Sequence, residues 1–247
     1  MIQVEGLAKR FGRIEALKGI SAGCPRGLVT ALVGPNGSGK TTLMKCLLGL
    51  VRPDAGRILL DGRPMDGTAA ARLDIGYMPQ LPHYPDNLSV EELVELIGGV
   101  RRAAAEKAGR AARAPGANPP WSDSIFSLAA IQGRKLRGLS GGTRQRVGAE
   151  LAWRSAAPLL VLDEPTAGLD PLASSHLKDR LLEDRAAGRT VLISSHVLAD
   201  LQELADQVIF LLEGRVRFAG PLSDLLRATG EERLERAVAS LMRQGAA

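Results

Sequence analysis

The amino-acid sequence predicts an α/β fold with a mainly parallel sheet core and an inserted α-helical lobe. Short apolar runs of strand length alternate with segments of helical periodicity up to residue 80 and again after residue 152, an alternation typical of parallel sheets. Several of these runs end at a glycine, a carboxylate pair or a histidine, and ligands of such sheets bind beyond the carboxyl ends of the strands. Residues 81–152 carry mainly helical patterns, which predicts the lobe.

The composition of the chain fits a globular protein with a packed core. Of its 247 residues, 45% are hydrophobic and 24% are charged. No uncharged apolar run reaches the length of about 18 residues that a membrane-spanning helix needs, and the N-terminus lacks the pattern of a secretory signal. The two cysteines, Cys24 and Cys46, are too few for a disulfide framework, so a reducing cytosol is the expected compartment.

The chain is basic, with a net charge of +5 and a pI of about 9.5. Such a charge suits nucleic acid or an anionic membrane face. The basic residues are spread along the chain, however, and the aromatic residues that would stack on bases make up only 3% of it. A generally solvated surface is therefore favoured, and no nucleic-acid partner is expected.

The first strand of the parallel sheet leads into a phosphate-binding loop. The apolar run Leu28–Gly34 predicts a buried strand, and the apolar spacing of Lys40–Leu50 predicts a helix. Between them, "GPNGSGKT" fits the pattern G-x-x-x-x-G-K-[ST], in which backbone N–H groups and the helix N-terminus surround a β-phosphate. Lys40 is expected to reach the β- and γ-phosphates, and Thr41 to bind Mg²⁺. The nucleotide-binding residues predicted here are Gly34, Pro35, Asn36, Gly37, Ser38, Gly39, Lys40, Thr41 and Thr42.

The run "PLLVLDE" (Pro158–Glu164) predicts another buried strand, which ends in two carboxylates. Asp163 is suited to hold Mg²⁺ through its water shell, and Glu164 to orient or deprotonate an attacking water. A phosphate loop alone is compatible with kinases, GTPases and ATPases, whereas a general base beside the metal favours hydrolysis. The alternative for the carboxylate pair is a helix cap.

Two further strand ends carry polar side chains. His196 follows the run "TVLIS", where a contact with the γ-phosphate is expected, although an isolated histidine is more often structural. Gln80 follows the run "DIGYMP", and its amide is expected to touch the metal or the attacking water. Since the carboxyl ends of parallel strands share one edge of a sheet, Lys40, Gln80, Glu164 and His196 are the predicted catalytic residues.

The lobe contains a second turn of small residues. Ser140, Gly141 and Gly142 form an anion-receptive turn at the start of a predicted helix. Because one nucleotide needs only one phosphate cradle, we expect this turn to reach the nucleotide of a second copy of the chain. The alternative is an ordinary helix entry with the serine as its cap.

Other helices are predicted in the lobe and after it. Ser89 and Glu92 have the spacing of a capping box at the start of a lobe helix. Residues 101–120 are rich in Ala and Arg, and a helix is expected in their first half and a loop in their second. The remaining helices are predicted over Leu172–Ala187, Val197–Ala205 and the tail that carries Leu234, Val238 and Leu241.

With these motifs in order along nearly the whole chain, the sequence resembles the ATP-binding cassette (ABC) family, specifically a transporter nucleotide-binding subunit. The series runs from the phosphate loop through Gln80 of the Q-loop, the signature "LSGGT", the Walker B strand "LLVLDEP" and the D-loop "AGLD" to the switch histidine. The resemblance implies one P-loop NTPase cassette whose mainly parallel sheet has an antiparallel β edge. Its implied parts are a catalytic core over 1–80 and 153–220, a helical signature lobe over 81–152 and a helical extension over 221–247.

The resemblance also adds two residues to the site. Phe11 stands where the family places an aromatic ring that stacks on adenine, usually that of tyrosine. Asp170 is implied to act in trans across a dimer interface, together with the signature turn. Thr143 stands where glutamine is commoner in the family, and the contacts of Ser140 and Gly142 are expected to survive this difference.

The family mechanism implies cofactors and partners. ATP with Mg²⁺ would close two cassettes into a homodimer, and hydrolysis assisted by Glu164 would reopen them. The transport pathway would belong to a separate multispanning permease, docked on the surface that follows Gln80. The chain would then lie peripherally at the cytoplasmic face of the cell membrane.

A finer similarity concerns the copper-processing accessory system for nitrous oxide reductase. It is carried by "AGLDPLASSHLKD", "FLLEGRVRFAG" and "TGEERLERAVASLM". The alternatives are a non-transport ABC ATPase acting on a cytosolic macromolecular complex, a regulatory cassette without turnover, and a nucleotide kinase. The first usually has two cassettes or a long coiled coil, the second is disfavoured by Glu164 and His196, and the third would leave the signature without a role.

Overall fold

Strands and helices alternate along most of the chain, as the apolar runs predict. The structure is a computed structural model that describes residues 1–110 and 125–245. Its strands are β1 (Ile2–Phe11), β2 (Ile14–Cys24), β3 (Val29–Val33), β4 (Ala55–Leu60), β5 (Arg63–Pro64), β6 (Ile75–Met78), β7 (Leu159–Asp163), β8 (Thr190–Ser194), β9 (Gln207–Leu212) and β10 (Arg215–Pro221). Its α-helices are α1 (Lys40–Leu47), α2 (Ala69–Arg72), α3 (Val90–Lys107), α4 (Gly141–Arg154), α5 (Pro171–Ala186), α6 (Leu198–Leu204), α7 (Leu222–Thr229) and α8 (Leu234–Gly245).

The described residues form two compact units. Unit 1 combines Met1–Thr68 with the chain from Asp184 onward, and unit 2 is Ala69–Glu183. Unit 2 is wider than the lobe predicted over 81–152, because it also takes in β6, β7 and most of α5. Since α4 packs against β6, the helices of the lobe and this strand share one cluster of contacts.

Unit 1 begins with an antiparallel sheet in the order β2-β1-β4-β5. Ile2, Val4 and Leu7 of β1 are buried in the core. The pairing register between β1 and β2 shifts after Val4 and again after Lys9. Such shifts bend a strand and increase its twist. The sheet supplies the antiparallel β part of the predicted fold class.

The parallel strands of unit 1 are β3, β8 and β9. β3 lies between the other two and pairs with both in parallel, while β10 pairs with β9 in antiparallel orientation. Every residue of β3 and β8 is buried, which is why these strands read as continuous apolar runs. The strand predictions over Leu28–Gly34 and Arg189–His196 are confirmed.

The helix after β3 is shorter than the predicted Lys40–Leu50. α1 ends at Leu47, and Gly49 follows with a φ of 65°. The N–H of Leu50 donates to the carbonyl of Lys45 at 2.9 Å, which closes the helix end around the left-handed glycine. The prediction placed the helix end at Leu50 because it did not take Gly49 as the residue that ends the helix.

The tail forms the predicted closing helix. α8 packs on α6, α7 and β9, and Leu234 and Ala237 are fully buried. Gln202 of α6 fixes the start of α8 by two hydrogen bonds. Its Nε2 donates to the Glu232 carbonyl at 3.0 Å, and its Oε1 accepts from the Leu234 N–H at 2.7 Å. The tail is thereby part of the unit 1 core.

Unit 2 pairs β6 with β7 in parallel, and α4 packs against β6 and α3. The capping box of α3 is confirmed, because Ser89 Oγ accepts from the Glu92 N–H at 3.1 Å and Glu92 Oε2 accepts from the Ser89 N–H at 2.7 Å. Arg101 of α3 donates to the carbonyls of Leu73 and Ile75 at 2.6 and 3.2 Å, and burial lowers the pKa of its guanidinium.

Two predictions concern residues at the limit of the described chain. α3 reaches Lys107, which confirms a helix in the first part of residues 101–120, whereas positions 111–120 lie outside the described residues.

The helices within residues 1–110 and 125–245 differ from a membrane span in length or hydropathy. None of them is both long enough and apolar enough to form one.

Candidate functional site

The phosphate loop follows β3 in unit 1, and two of its glycines are required by close contacts. A side chain at Gly34 would overlap the carbonyl oxygen of Leu211. Gly39 precedes α1 with a φ of 109°, and a Cβ atom there would lie 2.7 Å from the carbonyl oxygen of Ala16. The loop can therefore take this path only with glycine at both positions.

Lys40 lies against the loop that precedes it. Its side chain is buried, and its Nζ donates to the carbonyls of Gly34 and Pro35 at 2.6 and 3.3 Å. No side chain caps the start of α1, so its first N–H groups face the loop with the positive end of the helix dipole. The Ser38 hydroxyl is also buried there, with no hydrogen-bond partner among the described residues. These donors fit the oxygens of a polyphosphate.

The β1–β2 hairpin lies beside this loop. Phe11 pairs with Ile14 at the hairpin end, and the residue is 49% exposed. Ala16 of the same hairpin is the residue whose carbonyl approaches Gly39. Gly214 links the two regions further, since its N–H donates to the Ser38 carbonyl at 3.1 Å and its carbonyl accepts from the Lys18 N–H at 2.8 Å. The hairpin that carries Phe11 is thus packed against the phosphate loop through β2.

His196 also belongs to unit 1 and lies two residues beyond the end of β8. It is exposed, and it lies in a turn that Ser195 closes by accepting from the Val197 N–H at 3.0 Å. Ser195 itself is buried. The turn places the imidazole at the carboxyl end of a parallel strand, where the sequence predicted it.

The carboxylate pair belongs to unit 2, at the end of β7. Asp163 and Glu164 are both buried, and Glu164 has a φ of 53°. A left-handed conformation is strained for glutamate, and such strain concentrates at functional positions. The turn is held by two bonds to the Glu164 carbonyl: Ala167 N–H donates at 3.1 Å and Gln145 Nε2 donates at 3.4 Å.

The neighbouring strand of unit 2 presents Tyr77 and Gln80. Tyr77 pairs with Val161 of β7, and burial together with the Asp163 charge raises the pKa of its phenol to about 12. Gln80 lies two residues beyond β6 and is exposed. The carboxylates and this amide therefore follow adjacent parallel strands.

The signature turn caps α4. Ser140 is the N-cap: its Oγ accepts from the Thr143 N–H at 3.3 Å and lies 2.8 Å from the Thr143 hydroxyl. Gly142 approaches the D-loop so closely that a Cβ atom there would lie 2.6 Å from the Gly168 carbonyl oxygen. The signature turn and the D-loop are thus in contact within one chain.

Asp170, expected to act across a dimer interface, has partners in its own chain. Its Oδ1 accepts from the Ala173 N–H at 2.9 Å at the start of α5, and its Oδ2 forms an ion pair with Arg146 of α4. The backbone hydrogen bond from Ala173, followed by the Arg146 charge, lowers the pKa of this carboxyl. The carboxylate is engaged before any second copy is present.

The predicted residues are thus divided between the units. Unit 1 holds Phe11, the phosphate loop and His196, whereas unit 2 holds Gln80, the carboxylate pair, the signature turn and Asp170. In the part of the chain that is described, no group of three or more His, Cys, Asp or Glu residues could hold a metal ion.

Sequence reasoning missed four residues that hold this machinery. Gln145 and Arg146 of α4 contact the Glu164 turn and Asp170. Lys9 lies over the Phe11 ring, and Asp54 forms an ion pair with Lys9. Lys9 could have been found, because residues two apart on a strand share a face. The other three make contacts across long stretches of sequence.

Comparisons with known proteins agree with this geometry. The family model described as "ABC transporter" matches residues 17–167. The daunorubicin resistance ATP-binding protein DrrA3 of Streptomyces coeruleorubidus is 35% identical over 250 residues, which cover 100% of this chain and 76% of that protein. The Nod factor export ATP-binding protein I of Ralstonia nicotianae is 33% identical over 233 residues, which cover 92% of this chain and 68% of that protein.

Among solved structures, an ATP binding subunit of an ABC transporter superposes with a TM-score of 0.86 at 29% identity, covering 98% of this chain and 99% of that one. The chain spans between 59% and 76% of the length of four curated relatives, including the two above. The predicted fold class is confirmed by this solved structure. The chain belongs to the ABC transporter family, as an ATP-binding subunit with the ABC ATPase domain.

Proposed function

We propose that this chain is the motor subunit of a membrane exporter and couples ATP hydrolysis to transport. The observation that carries the proposal is the phosphate loop, with the buried Lys40 ammonium held against it at the N-terminus of α1. A lysine in this position supplies a fixed positive charge to the β- and γ-phosphates of a nucleotide. Gly34 to Thr42 would surround the triphosphate, and Phe11 would stack on the adenine.

Hydrolysis is assigned to the residues that follow three parallel strands. Glu164 would orient and deprotonate the attacking water, and its strained turn holds the carboxylate at the end of β7. Lys40 would balance the charge that develops on the transferred phosphoryl group, and His196 would donate to a γ-phosphate oxygen. The proton taken from water would reside on the Glu164 carboxylate until it is released to solvent.

Thr41, Gln80 and Asp163 are the residues assigned to Mg²⁺. They offer hydroxyl, amide and carboxylate oxygens, which are the ligand types that this ion prefers. Held by these residues with the nucleotide, Mg²⁺ would supply positive charge that offsets the charge of the phosphates.

A second copy of the chain would complete each site. Ser140, Gly141 and Gly142 would donate to the γ-phosphate held by the partner's loop, and Asp170 would contribute to the same interface. The contacts of Asp170 with Ala173 and Arg146 fix the position of its carboxylate, which supports a role in the surface that would face the second copy. Two identical chains would then enclose two ATP molecules.

The membrane partner is a separate permease with several spans, and the chain would lie peripherally at the cytoplasmic face of the cell membrane. The export direction is supported by the Nod factor export relative. The finer copper-processing assignment is supported only by three segments without catalytic residues. The two relatives described above are named for Nod factor export and daunorubicin resistance, so they add no support to it. Affinity purification from the native membrane would identify the permease and decide between a general exporter and a copper-processing system.

The central test replaces Glu164 by glutamine. Glu164→Gln is expected to retain ATP binding and to lose steady-state phosphate release by about 100-fold or more. Exposed Glu91 of α3 offers a matched control, since Glu91→Gln makes the same chemical change away from the motifs. Light scattering after size exclusion would detect the expected ATP-dependent dimer of Glu164→Gln.

Two outcomes would contradict the proposal. Normal phosphate release by Glu164→Gln would remove that residue from hydrolysis. A Glu164→Gln protein that stays monomeric with saturating ATP, even with its permease present, would remove the second copy from the site.

A further inference from the structure

We propose that Lys9 and Asp54 are positioning residues for the adenine base: Asp54 fixes Lys9 over one face of the Phe11 ring, so that the base stacks on the opposite face. The inference rests on the proposed function, since it assumes that ATP binds beside Phe11. It concerns residues of unit 1 that no sequence motif assigned.

The first observation is the position of the Lys9 ammonium. Lys9 Nζ lies over the Phe11 ring, 5.4 Å from its centroid, within the range of a cation–π interaction. Both side chains point to the same side of β1, because they are two residues apart on a strand. The Lys9 side chain is only 15% exposed, whereas Phe11 is 49% exposed. The cation is therefore packed on one side of a ring that remains accessible.

The second observation is the clamp that Asp54 forms around the end of β1. One carboxylate oxygen accepts from Lys9 Nζ at 2.8 Å, and the other accepts from the Arg10 N–H at 2.7 Å. The Asp54 N–H donates in turn to the Ala8 carbonyl at 2.8 Å. Three consecutive residues of β1 are thus tied to one aspartate just before Phe11.

The charge state of the clamp agrees with this geometry. The hydrogen bond from Lys9, followed by that from the Arg10 N–H, lowers the pKa of the Asp54 carboxyl. The carboxylate is therefore ionised at neutral pH and holds the ammonium by a charge-assisted bond. Without it, a lysine on a flexible stem would sample many other positions.

A cation on one face of the ring favours stacking on the other. The faces of an aromatic ring carry negative charge, which opposes face-to-face contact with a second π-system. The ammonium attracts this charge toward its own side and reduces the repulsion that the base would meet. It also restricts the ring before the base arrives, so less conformational freedom is lost on binding.

The test compares two ligands, Mg-ATP and Mg-tripolyphosphate, by isothermal titration calorimetry of the full chain. Lys9→Met is expected to weaken ATP binding by about two- to fivefold, because the energy of a weak cation–π contact sets the upper limit of the effect. Tripolyphosphate has no base, so its affinity should not change. Lys9→Arg keeps the charge and should keep the ATP affinity, and Lys107→Met, in α3 of unit 2, is the matched control for lost charge.

A second variant pair separates positioning from a merely structural role. In a Phe11→Ala background, Lys9→Met should no longer change ATP affinity, because the ring through which the lysine acts is gone. Asp54→Asn should weaken ATP binding to a similar extent as Lys9→Met, and the two changes together should not add. Thermal unfolding of each variant without ligand reports any general loss of structure.

The outcomes distinguish this inference from the function on which it rests. A wild-type chain that binds neither ligand would contradict the proposed function. A wild-type chain that binds ATP, with Lys9→Met equal to it or equally weakened toward both ligands, would overturn only the role of Lys9. A persistent effect of Lys9→Met in the Phe11→Ala background would also overturn it.

Discussion

Replacing Gly142 by alanine tests how closely the signature turn is packed against the D-loop. A Cβ atom at residue 142 would lie 2.6 Å from the carbonyl oxygen of Gly168, nearer than the 3.0 Å that real Cβ atoms keep. The obstacle is a backbone atom, so it cannot turn aside as a flexible side chain would. The helix or the D-loop must shift, and overpacking of this kind costs about 1–3 kcal/mol.

Gly141 offers the matched control for this change. It begins the same helix, and a Cβ atom there would meet nothing within 4 Å. Both alanines gain up to about 1 kcal/mol of helix propensity over glycine, so the difference between the two variants isolates the clash. We expect Gly142→Ala to be less stable than Gly141→Ala by about 1–3 kcal/mol.

Urea unfolding followed by far-ultraviolet circular dichroism measures this difference. The midpoint should fall for Gly142→Ala while the slope with denaturant stays the same, because the surface exposed on unfolding does not change. Coincident midpoints for the two variants would mean that the approach of residue 142 to Gly168 is relieved without cost. The inferred tight contact between signature turn and D-loop would then be wrong.

Three further variants test other contacts of unit 2. Arg101→Met deprives the Leu73 carbonyl of its charged donor, and urea unfolding should report a loss of about 2 kcal/mol, whereas an unchanged midpoint would rule out that anchor. Thr143→Val removes the hydroxyl beside Ser140, and steady-state ATPase activity should fall about fivefold while Thr143→Ser retains it; equal rates would exclude that hydrogen bond from turnover. Asp170 has a lowered pKa in the folded chain, so its contribution to stability is present at neutral pH and is lost as the pH falls below the ordinary range of an aspartate. The unfolding midpoint should therefore drop more steeply between about pH 5 and pH 3 in the wild type than in Asp170→Asn, and parallel curves would contradict this assignment.

The sequence predicted the buried parallel strands well and the antiparallel sheet poorly. β3, β7 and β8 are buried at every residue, so their apolar runs stand out. β1 and β2 have one side exposed and a register interrupted by bulges, so neither strict alternation nor a continuous apolar run appears. The residue ranges of β1 and β2 were therefore not predicted from the sequence, although the resemblance implied an antiparallel edge.

The candidate site divides in the same way. Motif spacing identified Lys40, Glu164 and Ser140, because each lies where a strand or loop meets a helix or turn of recognisable pattern. It could not identify Gln145 or Arg146, since their partners are 19 and 24 residues away and are reached only through tertiary packing. The intrachain partners of Asp170, Ala173 and Arg146, were not predicted either, and its action in trans stays a prediction.

The left-handed backbone at Glu164 bears on any effort to engineer this protein. Glycine or asparagine would relieve the torsion at that position by about 1 kcal/mol or more. A selection for thermostable clones would therefore enrich such replacements and recover chains without the carboxylate assigned to water activation. Laboratory evolution of this ATPase must therefore select for catalytic turnover as well as for heat resistance. Selection for heat resistance alone would raise the stability of the fold and lose the hydrolytic activity.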